Sequence, residues 1–433
     1  MDLFNFINAA RLIVDLVYGV SSKKLFRKQV LICCWPKLSI LVRNYGVCYL
    51  ERPAMIPRWK LKRELFRLYE QIGSVPLRII EPVHRFFYNK NRWLKIKIHY
   101  GSQKQTLKYC LFLIYQPNII SKSIIETCDF MTKKGYSVVL IANGELLSKS
   151  LIAVLPNVWQ ILERPNIGYD FGGYRDGIHH LEQMGISPKY LILMNDSIWF
   201  PLWKDTQVVE RLESSIHDLT GLFFHVPLRN EKMRQNGLSK LKRKRTEHIE
   251  SYVTMVTQNL FTTDEFKRFW NSYKQSSSKE ITIKRGEIGF SKVMALAGFS
   301  VGGLSQRKSF LKHIQNKSNY FLENTLKYAA YSDAKFEIER DALMENLAKP
   351  NWRAFALSHI QRVVERRRFN ASFCWATEQI FETSFVKKNA GQLFKKNRLQ
   401  ILLAIDAGDM PADNLPAIME IKALATKDKP GLK

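Results

Sequence analysis

Acidic residues are scarce in this sequence. Asp and Glu number 39 in 433 residues, against 67 Lys and Arg, which leaves a net charge of +28. A positive charge of this size attracts polyanions, and nucleic acid, anionic lipid headgroups and diphosphate-bearing substrates all qualify. The content of 46% hydrophobic and 12% aromatic residues excludes a chain that is disordered throughout. We therefore expect a large folded protein with a polyanionic partner.

Paired cysteines are also missing. The six cysteines, at positions 33, 34, 48, 110, 128 and 374, form no Cys-x-x-Cys motif and have no regular spacing. This pattern argues against a disulfide framework and favours reduced thiols, so we expect a cytoplasmic protein.

Long apolar runs are missing as well. A membrane-spanning helix needs about 20 mostly apolar residues, and the longest candidate, 30–50, contains Pro36, Lys37 and Arg43. Residues 1–28 lack the basic start of a signal peptide. Their apolar residues from Leu3 to Val17 fit one face of a helix, which suits either the surface of a membrane or packing against the protein body.

Strands and helices are predicted to alternate between residues 108 and 195. Apolar runs at 109–115, 136–143, 158–163 and 190–195 predict buried strands, and helices are predicted at 121–134, 145–154 and 175–184. This order is typical of an α/β fold with a mostly parallel sheet flanked by helices. Further strands are expected at 219–226 and 248–257, and further helices at 264–273 and 287–297. We predict a basic N-terminal region (1–105), an α/β core (106–305), a helical C-terminal region (306–410) and a flexible tail (411–433).

Asp196 is the first candidate for chemistry, because it follows the predicted strand 190–195. Open α/β sheets bind ligands where parallel strands end. A carboxylate there can hold a divalent metal that neutralises a diphosphate. Asp196 could equally cap the following turn, as Asn-Asp-Ser sequences often do.

A glycine-rich segment at 165–177 and an acidic residue at 287 are two further candidates. The segment has four glycines and two aspartates in thirteen residues. It predicts a loop in which Asp170, Arg175 and Asp176 bond sugar hydroxyls or phosphate, or simply form turns. Glu287 opens a predicted helix, where it could deprotonate an acceptor hydroxyl or act as an ordinary first-turn charge.

Five stretches together resemble the rhamnan synthesis F family, a branch of the GT-A-type glycosyltransferases of bacterial cell-surface polysaccharide assembly. The stretches are RPNIGYDFGGYRDGI (164–178), LILMNDSIWFPL (191–202), HIESY (248–252), FKRFW (266–270) and GEIGFSKVMALAGF (286–299). Their order extends over residues 164–299, less than half of the chain. The resemblance implies a GT-A-like sheet and transfer of rhamnose or a similar deoxyhexose from a nucleoside diphosphate donor.

The resemblance also assigns residues. Asn166 and Gly168 correspond to an asparagine-glycine pair of the wider fold, and Asn195, Asp196 and Ser197 stand where those enzymes have Asp-x-Asp. This implies a Mg²⁺ or Mn²⁺ site at Asp196. The donor-binding residues are then Asn166, Gly168, Tyr169, Asp170, Gly172, Arg175, Asp176, Asn195 and Ser197. Glu287 corresponds to the base of an inverting transfer. Because Ile288 replaces the second acid of that motif, His248 and Glu250 remain alternative bases.

The acceptor implied by the resemblance is a lipid-linked glycan of O-antigen, capsule or rhamnan synthesis. The basic segment 228–245 suits a lipid diphosphate or an anionic bilayer. It contains no aromatic residue for stacking bases, which argues against nucleic acid. We therefore expect a peripheral protein on the inner face of the bacterial cytoplasmic membrane. A non-catalytic sugar-binding or scaffolding member of an assembly complex is the alternative.

Overall fold

The computed structural model describes residues 75–227, 247–366 and 368–427. The chain divides into two compact units, Met1–Pro82 and Val83–Lys433. The amphipathic N-terminal segment and the basic segment 228–245, both singled out in the sequence, lie outside the described residues. None of the described helices is both long enough and apolar enough to span a membrane.

The secondary structure alternates through the first half of the described chain and is mainly helical in the second. The strands are β1 (Lys97–Tyr100), β2 (Lys108–Ile114), β3 (Tyr136–Asn143), β4 (Gln160–Arg164), β5 (Tyr190–Asn195), β6 (Ile198–Trp199), β7 (Leu219–His225), β8 (His248–Ile249), β9 (Val253–Thr257), β10 (Val301–Ser305) and β11 (Val386–Lys387). The helices up to β10 are α1 (Val75–Lys95), α2 (Lys122–Lys133), α3 (Ser148–Val154), α4 (Tyr169–Gln183), α5 (Val208–Glu213), α6 (Gln258–Phe261), α7 (Asp264–Ser272), α8 (Lys279–Thr282) and α9 (Ile288–Leu296). A 3₁₀ turn (Leu155–Asn157) and a π-helical turn (Ile283–Glu287) lie among them. The later helices are α10 (Arg307–Gln315), α11 (Asn319–Lys327), α12 (Ala334–Met344), α13 (Trp352–Arg366), α14 (Phe369–Ser372), α15 (Cys374–Phe381), α16 (Gln392–Asp406) and α17 (Leu415–Lys427).

A nine-stranded mixed sheet organises the described part of the chain. Its order is β1-β4-β3-β2-β5-β9-β7-β10, and β8 pairs with β7. Strands β2 to β5 are mutually parallel, and β9 runs antiparallel to both β5 and β7. This confirms the predicted α/β class, the four strands between 108 and 195, and the helical C-terminal region. We call the side of the sheet on which β2 to β5 end the carboxyl edge.

Both faces of the sheet are buried. Along β2, Cys110, Phe112 and Ile114 belong to one apolar cluster, and Tyr109, Leu111 and Leu113 belong to the other. The first cluster continues into the C-terminal helices, and the second packs against α4 and α7. Because both faces are covered, the central strands are nearly continuous apolar runs, which explains why they could be recognised in the sequence.

Helix α4 begins earlier than predicted, because the expected glycine-rich loop forms its first turns. A Cβ at Gly173 would lie 2.0 Å from Leu113 Cδ1, and one at Gly177 would lie 2.6 Å from Ile141 Cδ1. The two glycines therefore let the helix approach strands β2 and β3 closely. The gain in packing outweighs the low helix propensity of glycine, about 1 kcal/mol per residue relative to alanine.

The structure also differs from the sequence-based expectation at other positions. The predicted strand 248–257 is interrupted at residues 250–252, which leaves the short β8 and β9. Residues 415–427 form helix α17 rather than a flexible tail, and Ala417, Ile418 and Ile421 on it are buried. Glu420 of α17 accepts hydrogen bonds from Ser123 Oγ at 2.6 Å and from Trp199 Nε1 at 2.9 Å. The C-terminal helix is thus fixed to the sheet domain.

Candidate functional site at the carboxyl edge of the sheet

Polar residues gather where the parallel strands end. Gln116 follows β2, Asn143 ends β3, and Asn195 and Asp196 end β5. Strand β9 runs in the opposite direction, so Ser251, which lies two residues before the start of β9, reaches the same edge. Ligands of open α/β sheets bind at this position. The structure therefore places Asn195 and Asp196 at the carboxyl edge of the sheet.

The carboxylate of Asp196 is held in place on one side. Its Oδ2 accepts a hydrogen bond from the backbone N–H of Tyr115 at 3.1 Å and one from Gln116 Nε2 at 2.8 Å. Its own backbone N–H donates to Leu113 O at 3.0 Å. The side chain is half-buried, and Ser197 beside it is exposed. These contacts fix the orientation of a carboxylate at the mouth of the sheet.

Lys388 brings a positive charge to Asp196 from the C-terminal region. Strand β11 pairs antiparallel with β6, and the backbone N–H of Lys388 donates to Ser197 O at 2.8 Å. The Lys388 ammonium lies 5.3 Å from the centre of the Trp199 ring. Burial lowers the pKa of Lys388, and the nearby carboxylates of Asp196 and Glu420 oppose this shift. The positive charge of Lys388 thus acts on Asp196 from a partly buried position.

Asp170, His248, Ser251 and Glu287 form a second group at the edge, which we call the acid cluster. Ser251 Oγ donates to Glu287 Oε2 at 2.7 Å and lies 3.5 Å from Asp170 Oδ2. The Ser251 backbone N–H also donates to Glu287 Oε2, at 3.1 Å, and His248 Nε2 lies 3.4 Å from Glu287 Oε1. Asn195 Nδ2 donates to Asp170 Oδ2 at 3.2 Å. Asn195 therefore links the acid cluster to the strand that carries Asp196.

The two acids of the cluster have opposite electrostatic environments. Burial and the charge of Glu287 raise the pKa of Asp170 to about 6. Burial acts on Glu287 in the same direction, but hydrogen bonds from His248 and Ser251 outweigh it and lower the pKa of Glu287. Glu287 is consequently ionised at neutral pH, while Asp170 loses its proton at a pH of about 6. Pairs of acids whose pKa values are driven apart in this way are typical of catalytic sites.

The raised pKa of Asp170 predicts a pH-dependent effect of its replacement. An acid with a pKa of about 6 in the folded chain and 3.8 in the unfolded chain lowers stability as the pH rises through that interval. Asp170→Asn removes this loss, so the variant should gain stability relative to wild type between pH 4.5 and pH 7.5. Thermal unfolding at the two pH values measures the difference. An equal difference at both values would show that Asp170 has an ordinary pKa.

Glu250, one of the alternative bases, is buried and fully paired. Arg368 donates to both of its carboxylate oxygens, at 2.7 and 2.8 Å, and Lys387 Nζ donates to Oε2 at 3.0 Å. Burial raises the pKa of Glu250, but the two cations outweigh this and set it at about 2. A carboxylate with this pKa is a poor proton acceptor. Glu250 is therefore not proposed as the general base.

Arg175 and Asp176 do not reach the carboxyl edge, because both are buried on α4 and paired with neighbouring elements. Asp176 Oδ2 accepts from Arg164 Nε at 2.7 Å and from Tyr88 OH at 2.6 Å. Arg175 donates to Trp270 O at 3.2 Å and to Asn89 Oδ1 at 2.8 Å. These contacts join α4 to α1 and α7. They do not support the donor-binding roles expected for Arg175 and Asp176.

The pairing of Asp176 predicts a large effect on stability. Removing one partner of a buried ion pair costs about 3–5 kcal/mol, because the other charge stays buried without compensation. We expect Asp176→Asn to lower the free energy of unfolding by this amount and to leave nucleotide affinity unchanged in the folded fraction. Asp129→Asn is the control, since the pair of Asp129 with Lys133 at 2.6 Å is on the surface and should contribute under about 0.5 kcal/mol. Loss of nucleotide affinity without loss of stability would restore Asp176 to the donor site.

The remaining expected donor residues lie before and within the first turn of α4. Gly168 has a φ of +80° and directly precedes the helix, and a Cβ on it would lie 2.9 Å from Gln275 Cβ. A Cβ on Gly172 would lie 2.1 Å from Ile167 O, so this glycine serves the packing of the chain on itself. Asn166 and Tyr169 are exposed. Of this group, Asn166 and Tyr169 are accessible to a ligand, and Gly168 shapes the turn between them.

No set of three His, Cys, Asp or Glu side chains that could hold a metal ion occurs among residues 75–227, 247–366 and 368–427. Asp196 is the carboxylate at the mouth of the sheet, and the hydrogen bonds that it accepts from Tyr115 and Gln116 both end on Oδ2. Magnesium commonly binds one or two carboxylates together with substrate phosphates and water. The donor set at Asp196 fits that mode of binding, in which a substrate supplies the other ligands.

Comparison with known proteins agrees with the resemblance seen in the sequence. Residues 138–327 match the model of a family described as rhamnan synthesis protein F. An uncharacterized protein, y4gN of Sinorhizobium fredii (strain NBRC 101917 / NGR234), is 30% identical over 269 residues, which cover 62% of this chain and 67% of that protein. The chain belongs to the rhamnan synthesis protein F family. The segment that matches the family model includes Asp196 and the acid cluster, whereas Arg368, Lys387 and Lys388 lie beyond it.

One solved structure that aligns with this chain is the mannosyltransferase PcManGT from Pyrobaculum calidifontis, in complex with GDP-Man and Mn²⁺. It is 10% identical, and the match covers 83% of this chain and 98% of that one, with a TM-score of 0.27. A TM-score this low supports no argument about the fold or function of the family member described here.

Sequence reasoning missed several residues of the site. Gln116 and Lys388 were not selected, because neither belongs to a motif and Lys388 lies 192 positions after Asp196 in the chain. Ser251 belongs to the stretch HIESY (248–252), but the resemblance assigns no role to it. Its signal was its position between His248 and the start of β9, at the interruption that turns the chain toward the carboxyl edge.

Proposed function

We propose that this protein is a glycosyltransferase, which moves a sugar from a nucleoside diphosphate donor to a glycan in cell-surface polysaccharide synthesis. One observation carries the proposal: Asp196 with Lys388, and the acid cluster, stand together at the carboxyl edge and are linked through Asn195. The first pair suits a diphosphate, and the second suits an acceptor hydroxyl. Membership of the rhamnan synthesis protein F family supports a role in polysaccharide synthesis.

On the donor side, the protein has to stabilise a diphosphate as it leaves. Mg²⁺ or Mn²⁺ bound by Asp196 and the diphosphate would supply part of the positive charge. Lys388 supplies more, because its ammonium is fixed near Asp196 in a partly buried position where charge interactions are strong. Asn166, Tyr169 and Ser197 are exposed beside this position and are proposed to contact the nucleotide and the sugar.

On the acceptor side, Glu287 is the proposed general base. It is ionised at neutral pH, and Ser251 fixes its Oε2 through two hydrogen bonds. The acceptor oxygen forms a bond to the anomeric carbon, the bond from that carbon to the diphosphate breaks, and the hydroxyl proton passes to Glu287. This direct displacement inverts the anomeric centre. His248, which lies 3.4 Å from Glu287, is the alternative proton acceptor.

The donor sugar is proposed to be rhamnose or a similar deoxyhexose, and the acceptor a lipid-linked glycan of O-antigen, capsule or rhamnan synthesis. The net charge of +28 supports work at an anionic surface, such as the inner face of the bacterial cytoplasmic membrane. These specific assignments are the part of the proposal that experiment has to establish.

Turnover of nucleotide sugars tests the proposed function directly. The full chain is incubated with the nucleoside diphosphate derivatives of rhamnose, mannose, glucose and galactose, together with membrane lipids that carry short glycans. Release of the nucleoside diphosphate and growth of the glycan are measured. We expect one donor to be consumed in an acceptor-dependent manner. If folded protein consumes none of them although it binds their nucleotides, the non-catalytic alternative replaces this proposal.

A further inference from the structure

A cavity of about 400 Å³ lies beside the acid cluster, and its walls come from β7, α14, α16 and neighbouring residues. Ligand-binding pockets typically have volumes of about 300–1,000 Å³. Phe223, Phe224 and His225 of β7 form one wall, and Glu250 lies at its base. The cavity is separate from the donor side of the site, because Asp196 and Lys388 do not line it.

A short path of side chains connects this cavity to the proposed base. His225 lines the cavity, and the centre of its ring lies 5.0 Å from that of His248. His248 Nε2 in turn lies 3.4 Å from Glu287 Oε1. Strands β7 and β8 pair at this point, with His225 opposite His248, so the arrangement is part of the sheet. A ligand in the cavity would therefore be connected to the proposed base through His225 and His248.

Two consecutive lysines, the last residue of β11 and the residue after it, reach different parts of the site. Successive side chains of a strand point to opposite faces. Lys387 binds the Glu250 carboxylate at 3.0 Å, at the base of the cavity, whereas Lys388 approaches Asp196. The two consecutive lysines thus serve opposite sides of the site. Donor and acceptor would approach from the two sides of this strand.

The lining of the cavity suits a hydroxylated, nearly neutral ligand. Its charged residues are almost balanced, with Arg307, Arg366 and Arg368 against Glu250 and Glu365. Burial and the neighbouring His248 lower the pKa of His225 to about 4, so its ring is neutral at neutral pH and can both donate and accept a hydrogen bond.

One half-buried aromatic ring completes the lining. Phe394 of α16 offers an apolar surface against which the C–H face of a sugar ring can pack. Asn370 adds an amide. Apolar walls with a few convergent polar groups are typical of small-molecule sites.

We propose that this cavity binds the terminal sugar of the glycan acceptor, which the His225–His248 pair connects to Glu287. The proposal rests on the proposed function for its place in the reaction, but binding of the sugar can be measured without turnover. Arg368 and Lys387 act as positioning residues, because they hold the Glu250 carboxylate in place at the base of the cavity.

Binding of simple glycosides to the full chain tests the proposal. The probes are the methyl glycosides of rhamnose, mannose, glucose and N-acetylglucosamine at millimolar concentration, detected by saturation-transfer NMR. We expect at least one of them to bind, and Phe394→Ala to weaken its binding at least 10-fold. Asn370→Ala is a second variant that leaves the apolar packing intact, and it should also weaken binding.

Phe355→Ala is the matched control. This phenylalanine is 58% exposed on α13 and lines a separate cavity, so its replacement should leave glycoside binding unchanged. The proposal is overturned if no glycoside binds, if Phe394→Ala and Asn370→Ala bind as wild type does, or if inorganic pyrophosphate displaces the glycoside and thereby identifies an anion site. Because the readout is binding, a chain that binds the glycoside but transfers no sugar would contradict the proposed function alone.

Discussion

Replacing Glu287 with glutamine is expected to reduce kcat for sugar transfer by about 10²- to 10⁴-fold, the usual contribution of a positioned general base. The amide has the shape of the carboxylate and can still accept the hydrogen bonds from Ser251, but it cannot take up the acceptor proton. The Kd for the nucleotide should stay within about twofold of wild type, because the diphosphate is proposed to bind on the other side of Asn195. Single-turnover transfer and nucleotide titration measure the two effects.

Glu280→Gln is the control for this experiment, since Glu280 is an exposed residue of α8, seven positions earlier in the chain. It should behave as wild type. If Glu287→Gln retains full activity and His248→Gln loses it, the base is His248 and Glu287 only orients it. If both variants remain fully active, the acid cluster is not the acceptor side of a catalytic site.

Replacing Asp196 with asparagine is expected to lower transfer by at least about 10²-fold and to weaken nucleoside diphosphate binding as well. The change removes the carboxylate that is proposed to hold a divalent ion against the diphosphate, and it removes a negative charge that acts on Lys388. The part of the nucleotide affinity that depends on Mn²⁺ should disappear. Titration of the nucleotide with Mn²⁺ and with a chelator, for both proteins, measures this difference.

Asp205→Asn provides the matched control, because Asp205 is exposed and follows β6 in the same part of the chain. Its nucleotide affinity should equal that of wild type. If Asp196→Asn binds the nucleotide as tightly as wild type does and responds equally to Mn²⁺, then Asp196 only caps the turn after β5. The hydrogen bonds from Tyr115 and Gln116 would then be its whole role.

The central sheet could be predicted from the sequence because its strands are buried on both faces. Strand β2 alternates between two apolar clusters, and such strands appear as continuous apolar runs. Helix α4 was harder to predict, since Gly172 and Gly173 indicate a loop on local propensity alone. Only the packed structure shows that glycine at 173 and 177 lets the helix lie against Leu113 and Ile141.

The residues of the candidate site also fall into two groups: some are recognisable from the local sequence, and others only from long-range contacts in the folded chain. Asp196 could be selected because it follows a predictable strand. Glu287 was selected as the first residue of a helix, but the helical stretch begins earlier, at Lys279, so Glu287 lies within it. Lys388 and Arg368 could not be selected, because Asp196 and Glu250, the acids whose charges act on them, are more than 100 positions away and no local pattern marks the proximity. Asp176 shows the opposite error, since it stands in a ligand-like motif but forms a buried ion pair with Arg164.

The central claim is that the carboxyl edge of the sheet binds a nucleoside diphosphate sugar through Asp196. Thermal unfolding with dTDP, UDP, GDP and CDP, each with and without Mn²⁺, tests it most directly. A ligand at 100 times its Kd adds roughly 2.7 kcal/mol to the stability of the folded state. We expect one nucleotide to stabilise the wild type selectively, and this gain to be lost in Asp196→Asn and kept in Glu287→Gln. Folded protein that none of the four nucleotides stabilises would contradict the claim.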